Sequence, residues 1–245
     1  MKEKKDNQNL LLNNWKNFSN ELKECKKYNY IPYFWLRDDD AIKFTPNLKK
    51  FSIICKKYNI PMNLAVIPKL IEDSLIEFVS NEKNIYILIH GLRHLNYANK
   101  NQKKSEFGSN RDIETMLLEI QKGLEINKET FGEKSLPVFV PPWNRVNNKI
   151  LNQLINIGII GFSGINSTSF LRQQFKSYNP LIIRNADIDI INWKSNKSFM
   201  GEELLLKSII SEIKVRIKNI HLRSEPICIL SHHEIMKNES FKFIE

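Results

Sequence analysis

The chain has 245 residues, a length that fits a single α/β barrel domain. Its hydrophobic fraction of 42% is enough to form a full core and excludes an intrinsically disordered chain. The net charge of +10 is spread along the sequence, without an arginine-rich arm, a zinc finger or an RNP-type aromatic motif, so nucleic-acid binding is not expected as the main role.

The first predicted element is an amphipathic helix over residues 8–27, because apolar side chains recur there at helical spacing: Leu11, Trp15, Phe18 and Leu22. We expect residues 1–30 to form an N-terminal element that packs on a barrel of residues 31–245. The nearest apolar run, Leu10–Leu12, is far too short for the core of a signal peptide. No stretch reaches the roughly 18 apolar residues of a membrane span. A cytoplasmic protein without membrane contact is therefore expected.

Strand and helix patterns alternate along the rest of the chain. Short apolar runs predict strands at 33–36, 62–67, 85–89, 138–140, 159–162, 181–183 and 227–230. Between them, helices are predicted at 46–58, 69–80, 113–124, 147–157 and 204–217. Thr45-Pro46 has the form of a helix N-cap, and Gly158 that of a C-cap. This alternation predicts an α/β fold, a distorted (β/α) barrel of about seven parallel strands in one domain.

Two further features concern the loops and the cysteines. Residues 96–110 form a long polar stretch, which we interpret as a mobile loop that covers the site. Cys25, Cys55 and Cys228 are an odd number without metal-ligand spacing, which indicates reduced, buried thiols in a reducing compartment.

The first chemical motif is the run Asp38-Asp39-Asp40 at the end of the first predicted strand. Adjacent carboxylates repel one another, and a divalent metal relieves this by binding one of them and lowering its pKa. The second carboxylate is then available as a base. The alternative is a solvated acidic turn in which Asp40 starts a helix.

The second motif is the pair His90 and His94, separated by Gly91-Leu92-Arg93 at the end of a strand. Two imidazoles four residues apart can bind one ion, and Gly91 permits a sharp turn between them. With one aspartate they form a two-histidine, one-carboxylate set that is common in catalytic metal sites. The alternative is two unrelated histidines at the mouth of a loop.

The third motif, Pro141-Pro142-Trp143-Asn144-Arg145, ends another strand and presents a tryptophan that can stack on a sugar ring. A core tryptophan beside a rigid turn would leave the same pattern.

The fourth motif, Ser231-His232-His233-Glu234, places a histidine where it can protonate a leaving group. A structural histidine held by hydrogen bonds is the alternative.

Taken in order, these motifs resemble those of the polysaccharide deacetylase family, the NodB-homology group of carbohydrate esterases. Members carry Thr-Phe-Asp-Asp-Gly followed by Thr-Pro, then His-x-x-x-His, an Arg-Pro-Pro-Tyr/Trp-type segment and a final Leu-x-His. The corresponding segments here are Leu36–Asp40, Thr45-Pro46, His90–His94, Val140–Trp143 and Leu230–His232. The resemblance covers about residues 32 to 234.

The resemblance implies a divalent metal, with zinc expected, bound by Asp39, His90 and His94. Asp38 would then be the catalytic base. His232 would be the general acid, with His233 as the alternative.

The resemblance also implies that Trp143 and Arg145 contribute to the substrate and oxyanion site, with a backbone N–H near Trp143 contacting the oxyanion.

The sequence departs from the family pattern at three places. Asp40 stands where the family has glycine, and Val140 where it has the arginine that holds the catalytic aspartate. Arg37 and Arg145 are both candidates to replace that arginine. The segment Asp189–Trp193 resembles a fourth family segment, with Asn192 in place of its second aspartate.

The predicted activity is metal-dependent hydrolysis of an amide, N-deacetylation of an amino sugar or sugar conjugate. The expected substrate is a small molecule or short glycan, bound around Trp143 rather than along an open groove. Hydrolysis of another amide, such as a cyclic one, on the same scaffold and a non-catalytic glycan-binding barrel are the alternatives.

Overall fold

A computed structural model of the chain describes residues 2–165 and 181–245. The helices are α1 Lys2–Lys27, α2 Pro46–Lys57, α3 Asp73–Asn81, α4 Ile113–Phe131, α5 Asn148–Leu151, α6 Glu202–Lys218 and α7 Asn238–Ile244. The strands are β1 Phe34–Ala41, β2 Met62–Val66, β3 Ile85–His90, β4 Ser135–Val140, β5 Gly161–Phe162, β6 Ile182–Ile183, β7 Ile188–Asp189, β8 Ile191–Asn192, β9 Ser198–Phe199 and β10 Ile227–Ser231. The chain divides into two compact units. The larger comprises residues 36–186 and 232–234, and the smaller residues 1–35, 187–231 and 235–245.

The larger unit is built on a parallel sheet in which neighbouring strands follow the order β6-β5-β4-β3-β2-β1. Strand β2, which lies between β3 and β1, is buried at every residue, which is why its sequence is a largely apolar run rather than an alternating one. Helix α4 packs on β3 and β4 through a core that includes Met116, Ile120 and Phe139. Because all these strands are parallel, their carboxyl ends, and the motifs that follow them, lie at one edge of the sheet.

The smaller unit contains the parallel pair β7 and β10, with helix α1 packed against α6. A buried Arg216 pairs with Asp187 at 3.2 Å and donates to the carbonyl of Pro226 at 3.0 Å. The carboxylate of Asp189 accepts hydrogen bonds from the backbone N–H of Ile191 and from Nε1 of Trp193, at 2.9 and 2.7 Å. Asp189 therefore organises a local turn in this unit.

The predicted alternation is confirmed, with differences in detail. Eight described strands take part in parallel pairs, against about seven expected, because β7 is only two residues long and shows no pattern. The antiparallel pair β8–β9 was also missed. The predicted helix 147–157 is split into α5 and a 3₁₀ turn at Leu154–Ile157, and it ends at Gly158 with φ 85° as expected of a C-cap. The N-cap of α2 at Thr45 is confirmed.

The three cysteines are buried, and none forms a disulfide in the described part of the chain. Burial raises the pKa of Cys25, and burial together with the charge of Asp38 raises that of Cys55 to about 12, so both are held as unreactive thiols. Within residues 2–165 and 181–245, none of the helices combines the length and apolar composition that a bilayer span requires.

Candidate active site

The site begins at an irregularity in β1. The pairing of β1 with β2 shifts register between Asp38 and Ala41, and Asp40 lies in the left-handed region with φ 69°. In a regular strand, Asp38 and Asp40 would point to one face and Asp39 to the other. A bulge redirects side chains at the end of a strand. The three consecutive carboxylates consequently meet three different sets of partners.

Asp40 is the carboxylate that lies against both predicted histidines. Its Oδ1 is 3.0 Å from Nε2 of His90 and 3.2 Å from Nε2 of His94. Potential ligand atoms of these three residues all lie within 4.8 Å of one another. The structure therefore brings His90 and His94 together as expected, but with Asp40 between them where the sequence register had assigned Asp39.

Geometry and charge both suit this cluster to a divalent cation. Nδ1 of His90 lies 3.1 Å from the carbonyl of Val140, so that a neutral ring donating there presents Nε2 as a ligand atom. Burial raises the pKa of Asp40, but hydrogen bonds with His90 and His94 hold it well below its usual range. Burial lowers the pKa of His90, yet the charges of Asp39 and Asp40 raise it overall. Two imidazole nitrogens and a carboxylate oxygen are a donor set that zinc and similar ions accept.

Asp39 is fully buried in an ion pair with Arg37. The Arg37 Nε lies 2.9 Å from Oδ1 of Asp39, and Nη2 donates to Oδ2 at 3.0 Å. The same guanidinium donates to the side chain of Asn144 at 2.7 Å and to the carbonyls of Ser163 and Gly164 at 2.8 and 3.0 Å. Of the two candidate arginines, Arg37 is thus the one that holds a site aspartate.

Asp38, the residue predicted as the base, is bound instead to His233. Its Oδ1 is 2.5 Å from Nδ1 of the His233 ring, and its Oδ2 accepts from the His233 backbone N–H at 2.9 Å. The carbonyl of His233 accepts a hydrogen bond from Asn47 at 2.8 Å. Burial lowers the pKa of His233, but Asp38 raises it overall. The neighbouring His232 is buried, and its charge is among the causes that lower the pKa of Asp40.

The Pro-Pro-Trp turn borders the same cluster. Trp143 has φ 56°, and its ring centroid lies 4.3 Å from that of His94. Asn144 and Arg145, which follow it, line a cavity of about 210 Å³ together with Phe162 and Asn185. Arg145 donates from Nη1 to the carbonyl of Lys104 at 2.9 Å, so it also anchors the polar loop.

That polar loop supplies a residue that the sequence interpretation missed. Ser105, Glu106 and Phe107 are buried, and the Glu106 carboxylate accepts hydrogen bonds from the backbone N–H groups of residues 92–94, the last of which is the second histidine. Burial raises the pKa of Glu106, and these bonds offset part of that effect. One sequence signal was present: Glu106 is the only acidic residue among the basic and polar residues of 96–110, and it precedes an aromatic residue.

Sequence comparison identifies no relatives: no protein-family model matches the chain, and no curated protein matches it. Solved structures do match it in fold. A family 4 carbohydrate esterase from Streptomyces lividans, in complex with acetate, superposes with a TM-score of 0.53 at 11% identity, covering 88% of this chain and 85% of that one. A peptidoglycan deacetylase from Bacillus subtilis superposes with a TM-score of 0.51 at 14% identity, covering 89% and 83% of the two chains.

These similarities cover most of the chain at low identity, and they establish its fold. The predicted fold class, an α/β fold in the form of a distorted (β/α) barrel, is confirmed.

Proposed function

We propose that the protein is a metal-dependent hydrolase of a carbon–nitrogen bond and removes the acetyl group from an amino sugar or sugar conjugate. The observation that carries this proposal is the convergence of Asp40, His90 and His94 beside the buried Arg37–Asp39 pair. Supporting it, the structures with this fold include a peptidoglycan deacetylase and an esterase that holds acetate, the product expected of deacetylation.

In this proposal Asp40, His90 and His94 hold the divalent ion, with zinc as the expected metal. When bound, the ion would polarise the acyl carbonyl and lower the pKa of the attacking water. The assignment moves the metal ligand from Asp39 to Asp40, one residue along the sequence. Its basis is that Asp40 contacts both imidazoles, whereas Asp39 is engaged by Arg37.

The catalytic base in this proposal is Asp39. It is close enough to the metal-ligand cluster to raise the pKa of His90, and Arg37 holds its carboxylate in a fixed orientation. Asp39 accepts the proton of the attacking water as the new carbon–oxygen bond forms at the acyl carbon. In this proposal Asp38, whose oxygens contact the ring and the backbone N–H of His233, holds that histidine in place.

His232 is the proposed general acid. It donates a proton to the amide nitrogen as the carbon–nitrogen bond breaks, so that acetate and a free amine are released. Its neighbour His233 is buried against Asp38 and tied to Asn47, which fixes the backbone that carries His232. His233 therefore acts in this proposal as a positioning residue.

The proposed substrate is a short N-acetylated saccharide. Trp143 stands beside His94 as a surface on which a sugar ring can stack, and its backbone N–H is the proposed donor to the oxyanion. The cavity of about 210 Å³ lined by Asn144 and Arg145 suits a small group better than a long polymer. Three buried thiols are consistent with action in the cytoplasm.

Substitutions in the aspartate run test the assignment. Asp39→Asn should lower the rate of acetate release from N-acetylated chito-oligosaccharides by about 10²–10⁴ while the metal content stays unchanged. Asp40→Asn should instead lower the metal content measured by atomic emission. Asp73→Asn, which alters an exposed carboxylate in α3, is the matched control and should change neither.

Three outcomes would contradict the proposal. Near-normal turnover in Asp39→Asn would show that another carboxylate is the base. Hydrolysis of cyclic amides without acetate release from any N-acetyl sugar would indicate a different amide hydrolase. Saccharide binding without turnover, unchanged in the Asp39→Asn variant, would indicate a non-catalytic glycan-binding protein.

A further inference from the structure

The loop of residues 96–110 sends one carboxylate into the turn that joins the two histidines. Oε1 of Glu106 accepts from the backbone N–H of Arg93 at 2.9 Å, and Oε2 accepts from that of His94 at 3.1 Å. A longer contact of 3.4 Å joins Oε2 to the N–H of Leu92. The backbone amides of Leu92, Arg93 and His94 thus share one buried side chain.

We propose that Glu106 is a positioning residue that holds the His90–His94 turn in its metal-binding conformation, an inference that rests on the proposed function. Successive backbone N–H groups in a turn form a concave site for an anion. Here the anion is part of the protein, and it binds the backbone of a metal ligand rather than the metal itself.

The backbone of this turn explains why such a clamp is needed. Gly91 has φ 63° and His94 has φ 57°, and a residue with a side chain adopts the left-handed region at a cost in free energy. Contacts with the surrounding structure must therefore stabilise His94 in this backbone conformation. A hydrogen bond from the His94 N–H to Glu106 acts directly on that residue's backbone.

Gly91 and the Glu106 side chain are also so close that there is no room for a side chain at position 91. A Cβ atom built on Gly91 would lie 2.2 Å from Oε2 of Glu106 and 2.6 Å from Cγ of Pro142. Any side chain at position 91 would therefore displace the carboxylate. Gly91 therefore has two effects: it allows the backbone to turn after His90, and it leaves space for the Glu106 carboxylate that binds this turn.

Glu106 is itself fixed by contacts on both sides. Ser105 donates from Oγ to the carbonyl of Arg145 at 3.2 Å, and the carbonyl of Phe107 accepts from the N–H of Asn147 at 2.7 Å. Arg111 donates to the carbonyl of Glu106 at 2.9 Å. This end of the loop is consequently a buried support for the metal site. The sequence predicted that residues 96–110 form a mobile loop over the site. That prediction does not hold for Ser105, Glu106 and Phe107, which are buried.

The test is metal affinity, measured without turnover. Zinc affinity is determined by competition with a chromophoric chelator for the wild type, Glu106→Gln and Glu106→Asp. We expect Glu106→Gln to bind zinc about 10–100-fold more weakly, the size typical of lost outer-sphere support. Glu106→Asp should fall between Glu106→Gln and the wild type.

The matched control is Glu82→Gln. Glu82 is a partly buried carboxylate that pairs with Lys56 at 2.6 Å, away from the histidine turn and from Arg111, so the zinc affinity of this variant should equal that of the wild type. Equal affinities in Glu106→Gln and the wild type would overturn the inference, even if Glu106→Gln unfolds at a lower temperature, because a purely structural role predicts that result.

A second measurement needs no variant. In the metal-free wild type, the amides of Leu92, Arg93 and His94 should exchange their hydrogens slowly because Glu106 already holds them. Rapid exchange of all three would overturn the inference. Neither measurement depends on acetate release. An inactive wild-type protein would therefore refute the proposed hydrolase function without affecting the test of Glu106.

Discussion

At the residue scale, three identical neighbours have three different environments. Asp38 is bound to His233, Asp39 to Arg37, and Asp40 to His90 and His94. Three buried or partly buried carboxylates at consecutive positions are tolerated because each has its own cationic or hydrogen-bonding partner. Loss of one partner would leave a charge in a poorly solvated site.

Arg37 illustrates this dependence and gives a stability prediction. Because the pair with Asp39 is fully buried, Arg37→Met should lower the free energy of unfolding by about 3–5 kcal/mol, measured by urea denaturation. Arg37→Lys keeps the charge but loses the paired contacts with the carboxylate, so it should also destabilise the protein, by less.

The control is the double variant Arg37→Met, Asp39→Asn, which removes the unpaired charge together with its partner. It should be more stable than Arg37→Met alone, with part of the loss remaining because Arg37 also donates to Ser163 and Gly164. A loss below about 1 kcal/mol in Arg37→Met would show that the pair has little influence on stability.

At the scale of secondary structure, local signals were accurate where the interaction is local. Thr45 caps α2, with its Oγ1 accepting from the N–H of Leu48 at 3.1 Å, and Pro46 occupies the first helical position. Asp112 caps α4 in the same way by accepting from the N–H of Thr115. Each of these bonds joins residues three apart, so the sequence window contains both partners.

The cap of α2 predicts a modest effect on stability. Thr45→Ala leaves an N–H of the first helical turn without its acceptor and should lower the free energy of unfolding by about 1 kcal/mol. Ser208→Ala is the comparison, since its hydroxyl only donates to a carbonyl within α6 and its loss should stay within about 0.5 kcal/mol. Equal effects in the two variants would argue against a capping role for Thr45.

At the scale of the whole molecule, the proposed metal site links distant parts of the sequence. Asp40 belongs to β1, His90 to β3 and His94 to the turn after it, so an ion bound by all three binds only the folded state. A ligand of this kind stabilises the native protein in proportion to the logarithm of its concentration.

Metal removal should therefore lower the thermal midpoint. Zinc at about 100 times its dissociation constant should add about 2.7 kcal/mol, which corresponds to about 5–10 °C for a chain of this size. The measurement is thermal unfolding followed by circular dichroism, with a chelator and with zinc. Asp40→Asn should show no such shift. The same shift in Asp40→Asn and the wild type would place the ion elsewhere.

Much of the fold was available from the sequence. Apolar runs and helical spacing identified the main strands and helices, and parallel strands required the four motifs to meet at one edge of a sheet. Strands β7, β8 and β9 were missed because each has only two residues, one of them polar, and so none forms an apolar run.

Which partner each aspartate of the site contacts depends on the packing of the folded chain. The sequence identified the acidic run and the histidines, but nothing local distinguishes one aspartate in a run of three from the next. Their directions follow from the register shift in β1 and from partners more than a hundred residues away, such as Ser163 for Arg37 and His233 for Asp38. The role of Glu106 likewise depends on a loop folding back on a turn twelve residues earlier. Secondary structure follows from interactions between near neighbours, whereas the assignment of each carboxylate is a property of long-range contacts that exist only in the folded chain.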